Sequence, residues 1–341
     1  MDLSVIVLSW NTRLLLKNCL ESLFAQSGAL TFEVIVADNA SEDGSREMVQ
    51  ALFPQVKLVV NSNNVGFGAG NNAALPSATG RYVMFLNSDT VTTEGALAAL
   101  VRFADSSPDI GIVGPKLLNG DGSLQYSCRR YPNLGAGFFR STPLGRLFPK
   151  NRFAADYMMT DWDHATPMDV DWVSGAALMM RRTLIDQIGC FDEAFYMYCE
   201  DVDLCWRANH ALLPADAPSQ EGQTSLAGRH WRVAYYPDSV IYHLIGKSSD
   251  QAPTRMTYEF HKSQYLFYKK HYAASTPLLL RLLIPIGIGL RATGQMTRFR
   301  LRYLQRKLQG GEGKRAANTV PPAAVKSGAE IESNSGKRDS Q

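Results

Sequence analysis

The sequence has 341 residues, 45% of them hydrophobic and 20% charged, which is an ordinary balance for a globular protein with one large core and room for an appendage. Its formal net charge of +3 is too small to indicate a nucleic-acid partner. The 5 cysteines are scattered without a Cys-x-x-Cys pair, which argues against a disulfide framework and a cysteine zinc site and favours a reducing compartment.

The first half of the chain alternates short apolar runs with segments of helical periodicity. The opening residues MDLSVIVLSW carry no basic region before a long apolar stretch, so we interpret them as a first strand and not as a signal peptide. The predicted strands are 3–9, 32–37, 57–60 and 82–87, and the predicted helices are 14–26, one that starts within 40–45, one that runs to about 75 and one at about 94–104. This order predicts a doubly wound, mostly parallel α/β sheet, in which ligands bind beyond the carboxyl ends of the strands.

The second half is less regular. Residues 105–170 show only weak periodicity, and residues 212–230 have the composition of a flexible surface insertion. Helical character returns at 176–188, 199–209 and about 254–271, and strands are predicted at 232–236 and 239–243.

The C-terminal region begins with an apolar stretch, 278–290. Arg281 and Pro285 interrupt it, and a membrane-spanning helix needs roughly 20 apolar residues, so we do not expect it to span a membrane. Eight Lys/Arg residues and a single acid lie between Arg291 and Arg315. An apolar stretch with a basic sequel is typical of an in-plane membrane contact, and the alternative is a helix packed on the domain before a solvated tail. From about residue 311 the composition predicts disorder.

Two aspartates follow predicted strands at the ligand-binding edge. Asp38 could accept a hydrogen bond from the ring N–H of a pyrimidine, or it could cap a helix. Asp89 could bridge a hard divalent cation to a pyrophosphate, or it could cap the following helix. Between them, residues 61–74 are rich in Asn and Gly, but Asn71 stands where a G-x-G-x-x-G fingerprint needs its last glycine. We therefore predict a closely packed helix start beside a nucleotide and not an NAD site, with a purely structural turn as the alternative.

Three carboxylates crowd into the segment YCEDVDLCWR (198–207). Glu200, Asp201 and Asp203 repel one another, and such a group can supply a general base. The alternative is a helix N-terminus that favours acids, with Arg207 as the partner of Asp203. His243 ends a predicted strand, and a single histidine in that position is more often structural than a metal ligand.

Taken in order, these segments resemble the family 2 glycosyltransferases with the GT-A fold, especially their rhamnosyltransferase-like branch. The likeness covers roughly residues 3–272. It is carried by SVIVLSWN (4–11), VIVADNASEDGS (34–45), NNVGFGAGNN (63–72), FLNSDT (85–90), WVSGAALMMRR (172–182), GCFDEAFYMYCEDVDLCWR (189–207) and VIYHLIGKS (240–248).

The resemblance implies a role for each matching residue. Asp89 matches the last acid of the D-x-D metal motif, whose first acid is replaced here by Asn87, and His243 matches a C-terminal metal ligand. Asp201 matches the catalytic base. The expected donor-binding residues are Ser9, Asn11, Asp38, Asn64, Gly66, Asn71, Asn87 and Asp89. The expected acceptor-binding residues are Trp172, Ser174, Gly175 and Glu200. The insertion at 212–230 departs from the family pattern.

The implied reaction is an inverting single displacement, with Mg²⁺ or Mn²⁺ bound by Asp89 and His243. By resemblance, the donor is dTDP-rhamnose or a UDP-sugar, and the acceptor is a glycan or lipid-linked glycan of cell-surface polysaccharide synthesis. We expect a cytoplasmic protein that can contact the cytoplasmic face of the inner membrane. The expected organisation is a nucleotide-sugar-binding half (1–110), an acceptor-binding and catalytic half of the same domain (111–272), a helical extension (273–310) and a disordered tail (311–341).

Three other functions are compatible with parts of this pattern. A nucleotidyltransferase would carry a Gly-rich basic loop after the first strand, which residues 9–13 lack. A degenerate glycan-binding protein would not need both Asp89 and Asp201. An inverting glycosidase could use paired acids but would not need aspartates at the strand ends.

Overall fold

The computed structural model describes residues 1–132, 147–148, 151–214, 228–244 and 253–308. Most of the predicted insertion, the predicted tail 311–341 and the last part of the VIYHLIGKS segment lie outside these residues. The two ends of the insertion do lie within them, and Leu212 and His230 form an antiparallel bridge. The two described ends of the insertion therefore lie side by side.

The first half forms the four-stranded parallel part of a larger sheet, as predicted. Its elements are β1 (Leu3–Ser9), α1 (Arg13–Phe24), β2 (Phe32–Asp38), α2 (Ser45–Leu52), β3 (Lys57–Val60), α3 (Phe67–Ala74), a 3₁₀ turn (Leu75–Ser77), β4 (Tyr82–Asn87), β5 (Thr90–Thr92) and α4 (Ala96–Asp105). The strands lie in the order β3-β2-β1-β4, and all three pairings are parallel.

The second half extends this sheet with strands of mixed direction. Its elements are β6 (Ile110–Leu118), β7 (Leu124–Gln125), β8 (Cys128–Arg129), α5 (Arg152–Met158), β9 (Met168–Asp169), β10 (Trp172–Val173), β11 (Ala177–Arg181), α6 (Arg182–Ile188), α7 (Glu200–His210), β12 (Arg232–His243), α8 (Pro253–His271) and α9 (Leu278–Leu308). The sheet continues from β4 as β11-β6-β12-β5, in which β6 and β12 are parallel and β11 is antiparallel to both of its neighbours. Strands β8 and β10 form a separate two-stranded sheet.

Apolar residues cover both faces of the central sheet. Leu3, Val5 and Val7 of β1 pack in one core with the buried residues of α1, α2 and α4. Ile6 points to the opposite face and belongs to a second core with α3, α6 and α7. Because successive side chains of a strand alternate between faces, a strand buried on both sides is mostly apolar, and β1 is apolar except for Ser4 and Ser9.

The second half differs from the expectations drawn from the sequence in three places. Residues 110–118 form a long buried strand where only weak periodicity was seen. Residues 177–181 are a strand and only 182–188 are helical. The two strands predicted at 232–236 and 239–243 are one strand, β12, with an irregularity between Tyr236 and Val240.

The helix α9 is much longer than the apolar segment from which it was predicted. It continues from Leu278 to Leu308 with Pro285 inside it. Its first 21 residues, Leu278–Arg298, have a mean hydropathy of 1.2 and are long and apolar enough to cross a membrane, by length and composition alone. The length argument against a spanning helix therefore does not hold for this helix.

Candidate active site

The strand register brings three predicted donor-binding residues to one edge of the sheet. Ser9 at the end of β1 lies opposite Asp38 at the end of β2, and the preceding residue of β1 lies opposite Asn87 of β4. The Ser9 hydroxyl is hydrogen-bonded to Thr12 Oγ1 at 3.0 Å, and Thr12 in turn contacts Ser88 Oγ at 2.8 Å. A row of hydroxyls therefore runs along the carboxyl edge from β1 to β4.

Asp38 has one carboxylate oxygen bound and one oxygen without a partner. Oδ1 accepts hydrogen bonds from the backbone N–H of Ser41 at 3.0 Å and from Arg46 Nε at 2.8 Å. Oδ2 is buried, and no described residue donates to it. A buried carboxylate oxygen rarely stays unpaired, so Asp38 is arranged to accept a hydrogen bond from a ligand.

Asn11 has a different role from Ser9 in the structure. Its backbone has a left-handed φ of 52°. Its Oδ1 accepts a hydrogen bond from Glu42 N–H at 2.8 Å, and its own N–H donates to Ser41 Oγ at 2.9 Å. Asn11 thereby fixes the loop after β1 against the loop after β2, which is the loop that presents Asp38.

The glycine-rich segment is closely packed, which agrees with the predicted helix start. Gly66 has φ +93° and ψ −178°, and a Cβ there would lie 2.3 Å from the carbonyl oxygen of Tyr196. Asn64 Oδ1 accepts hydrogen bonds from Gly66 N–H at 3.1 Å and from the Tyr196 hydroxyl at 3.1 Å. Asn71 is fully buried and donates to Phe67 O at 3.0 Å, while its Oδ1 has no described partner. The segment therefore attaches the loop before α7 to the nucleotide side of the sheet.

Asp89 and His243 meet, although 154 positions separate them in the chain. Strand β12 pairs with β5, and this places His243 Nε2 3.3 Å from Asp89 Oδ1. Asn87 Nδ2 lies 3.4 Å from the same Nε2. Both side chains of the pair are almost buried, with 7% of Asp89 and 11% of His243 exposed.

Gln125 of β7, which the sequence did not single out, orients His243. Its Nε2 donates to Asn119 Oδ1 at 3.0 Å, so its Oε1 is free to accept from His243 Nδ1 at 2.7 Å. In a neutral imidazole this hydrogen bond leaves the Nε2 lone pair facing Asp89. Strand pairing alone creates this contact, because β7 pairs with β6 and β6 with β12.

The pair suits a divalent cation that keeps other ligands. Among the described residues no group of three or more His, Cys, Asp and Glu side chains could hold a metal ion. An imidazole nitrogen and one carboxylate are suitable ligands for Mn²⁺, and Mg²⁺ commonly takes only one or two carboxylates together with substrate phosphates. The two side chains therefore fit a cation that a bound diphosphate helps to hold.

Asp201 lies in the first turn of α7, and backbone N–H groups hold its carboxylate in place. Oδ2 accepts from Gly175 N–H at 3.0 Å, and Oδ1 accepts from Val202 N–H at 2.8 Å. Burial raises the pKa of Asp201, and the two N–H groups and the nearby Arg129 only partly oppose that rise. A fixed carboxylate with a raised pKa is a suitable general base.

The other two acids of the segment have different environments. Glu200 is 5% exposed, and its Oε2 has no described partner. Burial, together with the charge of Asp201, raises the pKa of Glu200 well above its ordinary value.

Asp203 is a structural residue. Its fully buried carboxylate accepts from Arg207 Nε at 2.9 Å, from Lys270 Nζ at 2.8 Å and from His271 Nε2 at 2.7 Å. Burial alone would raise the pKa of Asp203, but these three partners lower it to about 2. The pairing of Asp203 with Arg207 is confirmed.

The loop 174–176 joins the carboxyl edge of the sheet to helix α7. Gly175 binds Asp201, and the next residue, Ala176, accepts a hydrogen bond from Asn87 N–H at 2.9 Å. A Cβ on Gly175 would lie 3.4 Å from Asp201 Cβ and 3.2 Å from the Phe67 ring. The C-terminal end of β4 and the first turn of α7 are thus hydrogen-bonded to consecutive residues of one loop.

The remaining predicted acceptor residues lie around the same loop. Ser174 N–H donates to Ser127 O at 2.7 Å, and Trp172 Nε1 donates to Arg130 O at 3.0 Å. Trp172 pairs with Arg129 across β8 and β10. A separate open cavity of about 790 Å³ lies beneath α5, and none of the predicted site residues lines it.

Comparison with known proteins agrees with this geometry. The sequence model of the family described as "Glycosyl transferase family 2" matches residues 4–172. An N-acetylglucosaminyl-diphospho-decaprenol L-rhamnosyltransferase of Mycobacterium tuberculosis is 28% identical over 292 residues, which cover 82% of this chain and 89% of that protein. Rhamnosyltransferase WbbL of Escherichia coli is 28% identical over 219 residues, which cover 61% of this chain and 76% of that protein.

Among solved structures, the mannosyltransferase PcManGT of Pyrobaculum calidifontis, determined with GDP-Man and Mn²⁺, is similar in fold. It matches with a TM-score of 0.50 and 18% identity, over 95% of this chain and 78% of that chain. At this identity the likeness supports the fold alone, and the fold is the predicted GT-A arrangement. The chain belongs to glycosyl transferase family 2.

Proposed function

We propose that this glycosyltransferase is a metal-dependent, inverting enzyme that transfers rhamnose from dTDP-rhamnose to a lipid-linked glycan during cell-surface polysaccharide synthesis. The observation that carries the proposal is the convergence of three groups at one edge of the sheet. These are the unpaired oxygen of Asp38, the pair Asp89–His243, and Asp201, which the loop 174–176 connects to the end of β4.

Each group has a distinct task in the proposed reaction. Asp38 Oδ2 accepts the ring N–H of the pyrimidine base, and Asp201 accepts the proton of the acceptor hydroxyl as that oxygen attacks the anomeric carbon. The bond from this carbon to the diphosphate breaks in the same step, so the nucleoside diphosphate leaves with the bonding electrons. Asp89 and His243 would hold a divalent cation, Mg²⁺ or Mn²⁺, which when bound neutralises charge on the departing diphosphate.

The donor and acceptor are inferred from the relatives. Two relatives are named as rhamnosyltransferases, and the Mycobacterium tuberculosis protein is named for a GlcNAc-diphospho-decaprenol acceptor. A UDP-sugar is the alternative donor, since Asp38 can accept the same ring N–H from uracil as from thymine. We propose a sugar-diphospho-polyprenol as the acceptor class.

The exposed face of α9 supports a lipid-linked acceptor. Leu278, Leu279, Leu282, Leu283, Ile286 and Leu290 are each at least half exposed. At 100° per residue these positions cover one continuous side of the helix. The opposite side packs on α8, where His261 contacts Gln295 at 3.1 Å. We propose that the apolar side contacts the membrane surface in which the acceptor resides.

Replacement of the catalytic base tests the reaction. Asp201→Asn should lower the rate of transfer by about 10²–10⁴-fold, because general base catalysis contributes about that much. The affinity for the nucleotide sugar should stay within a few-fold, because the Asp201 carboxylate is held by the N–H groups of Gly175 and Val202 and the proposed donor contacts are made by other residues. The matched control is Asp186→Asn, which removes the same charge from an exposed position of α6. Normal turnover by Asp201→Asn in a steady-state assay would refute the assignment.

A panel of nucleotide sugars tests the substrate. Wild-type protein with Mn²⁺ and a GlcNAc-diphosphate lipid should transfer rhamnose from dTDP-rhamnose faster than any sugar from UDP or GDP donors. Faster transfer from a UDP-sugar would replace rhamnose in the proposal, and no transfer from any donor would refute the proposed function.

Vesicle binding tests the membrane contact. Leu279→Glu combined with Leu283→Glu should reduce co-sedimentation with phosphatidylglycerol vesicles at least tenfold, because each buried leucine contributes about 1.5–3 kcal/mol. The control, Leu14→Glu combined with Leu52→Glu, changes two exposed leucines outside α9 and should leave the co-sedimentation unchanged. Binding that survives the first pair of changes would refute the contact. Binding that alkaline carbonate cannot reverse would indicate a spanning helix instead.

A further inference from the structure

Arg129 lies beside the catalytic base, between two aromatic rings. Its guanidinium carbon is 5.2 Å from the centroid of the Trp172 ring and 5.8 Å from that of Tyr157. Its hydrogen bond to Tyr126 O, from Nη2, is long at 3.3 Å. The rings hold the guanidinium by stacking and satisfy none of its N–H groups, so most of its donors remain available.

The charge of Arg129 has no ion-pair partner in the described part of the chain. No carboxylate oxygen there lies within 4.0 Å of its nitrogens. Its Nε is buried and has no hydrogen-bond partner among the described residues. The next residue, Arg130, is by contrast paired with Asp171 at 3.3 Å. A buried cationic donor without a partner is costly, and an anionic ligand would remove that cost.

The position of Arg129 indicates which anion it meets. Arg129 pairs in register with Trp172, in the strand that leads into the loop carrying Gly175, and Gly175 binds the catalytic Asp201. The donor diphosphate is expected at Asp89 and His243. Gln125, which orients His243, stands four residues before Arg129 in the chain. Arg129 therefore lies next to Trp172, at the start of the segment 172–175 that the sequence predicts to face the acceptor.

We propose that Arg129 binds the diphosphate of a lipid-linked acceptor and so holds the acceptor sugar with its hydroxyl at Asp201. The inference rests on the proposed function and adds a recognition element for the acceptor. A planar guanidinium donates two parallel hydrogen bonds to a phosphate, an arrangement that an ammonium group cannot reproduce. The diphosphate of the donor is the other source of the same chemistry.

Two acceptors that differ only in the linkage separate these sources. One is GlcNAc joined through a diphosphate to a short alkyl chain, and the other is the uncharged alkyl glycoside of GlcNAc. Arg129→Met should lower kcat/KM for the diphosphate acceptor by about ten- to a hundredfold and leave that for the glycoside within about threefold. Arg129→Lys should give an intermediate loss. Arg130→Met removes the neighbouring, ion-paired cation and should change neither value.

Calorimetry tests whether Arg129 binds the diphosphate of the acceptor or that of the donor. The affinity of Arg129→Met for dTDP with Mn²⁺ should equal that of the wild type. A weaker affinity would assign Arg129 to the donor diphosphate and overturn the proposal. An equal loss with both acceptors would also overturn it, since Arg129 would then act on Asp201 or on folding.

The inference can fail separately from the proposed function. If wild-type protein transfers no sugar to either acceptor, the proposed function fails. Direct titration with the diphosphate compound then still tests Arg129, and equal affinity of wild type and Arg129→Met would overturn the inference.

Discussion

In the proposed metal site, the hydrogen bond from His243 to Gln125 should make the affinity for the cation depend on a residue that is not itself a proposed ligand. Gln125→Ala removes the oxygen that accepts from His243 Nδ1 at 2.7 Å. The imidazole can then rotate or place its proton on Nε2, which would point a hydrogen instead of a lone pair towards Asp89. Loss of such a supporting contact typically costs 10–100-fold in metal affinity. This corresponds to about 1.4–2.8 kcal/mol.

The stability of the fold should hardly change. Gln125 also donates to Asn119 Oδ1 and to His243 O, and both of these residues are partly exposed, so water can replace the lost donors. Calorimetric titration of dTDP at a series of Mn²⁺ concentrations measures the effect. The half-saturating Mn²⁺ concentration should rise by about 10–100-fold in Gln125→Ala.

The control is Gln125→Glu, which keeps an oxygen acceptor for His243 and loses the donors to Asn119. Its half-saturating Mn²⁺ concentration should stay within a few-fold of the wild-type value. Unchanged Mn²⁺ dependence in Gln125→Ala would refute the reasoning, and so would an equal loss in both variants.

Three further predictions concern the nucleotide loop and the acidic segment. Gly66→Ala should destabilise the fold by at least about 1–2 kcal/mol in denaturant titration, because of the left-handed backbone and the approach of Tyr196 O, and an unchanged midpoint would contradict the packing. The lowered pKa of Asp203, about 2 against 3.8, should contribute about 2 kcal/mol of stability that is fully present above pH 4 and is lost as the pH falls towards 2. Asp203→Asn should remove this acid dependence of the unfolding midpoint. If the acid dependence persists in the variant, it arises from another residue. Glu200→Gln should keep most of the transfer activity, because burial disfavours the charged form of Glu200 and the amide has the same size, and a large loss would show that its charge is used.

Strands β1 and β4 were predictable because each is buried on both faces. A run of β-branched and apolar residues bounded by polar ones has few alternatives, and β1 and β4 agree with their predicted limits. The same rule placed Asp38 and Asp89 at one edge, because the carboxyl ends of parallel strands meet there. The likeness to a family added the order of the motifs and the role of His243, which a single strand-end histidine does not reveal.

The second half was harder to predict because its pattern depends on packing partners. Strand β6 contains Gly114, and a Cβ there would lie 2.6 Å from the Cβ of Val173, so close packing replaces an apolar residue by glycine and weakens the periodic signal. The run ALMMRR (177–182) is apolar without clear alternation, so periodicity could not separate strand from helix. Gln125 and Arg129 have roles that arise from strand pairing over long sequence distances, and no local pattern marks them.

The three partners of Asp203 have a consequence for where the chain can be shortened. Two of them, Lys270 and His271, belong to the last turn of α8, while Asp203 stands two residues after Asp201, the proposed base. A protein truncated before Lys270 would leave the buried Asp203 carboxylate with Arg207 as its one cation among these three partners. We expect such a protein to misfold around Asp201. A protein that stops after Thr276 retains both cations and loses α9 with the residues that follow it. Such a shortened enzyme should handle water-soluble acceptors as well as the full chain does, which makes it the better starting material for crystallisation.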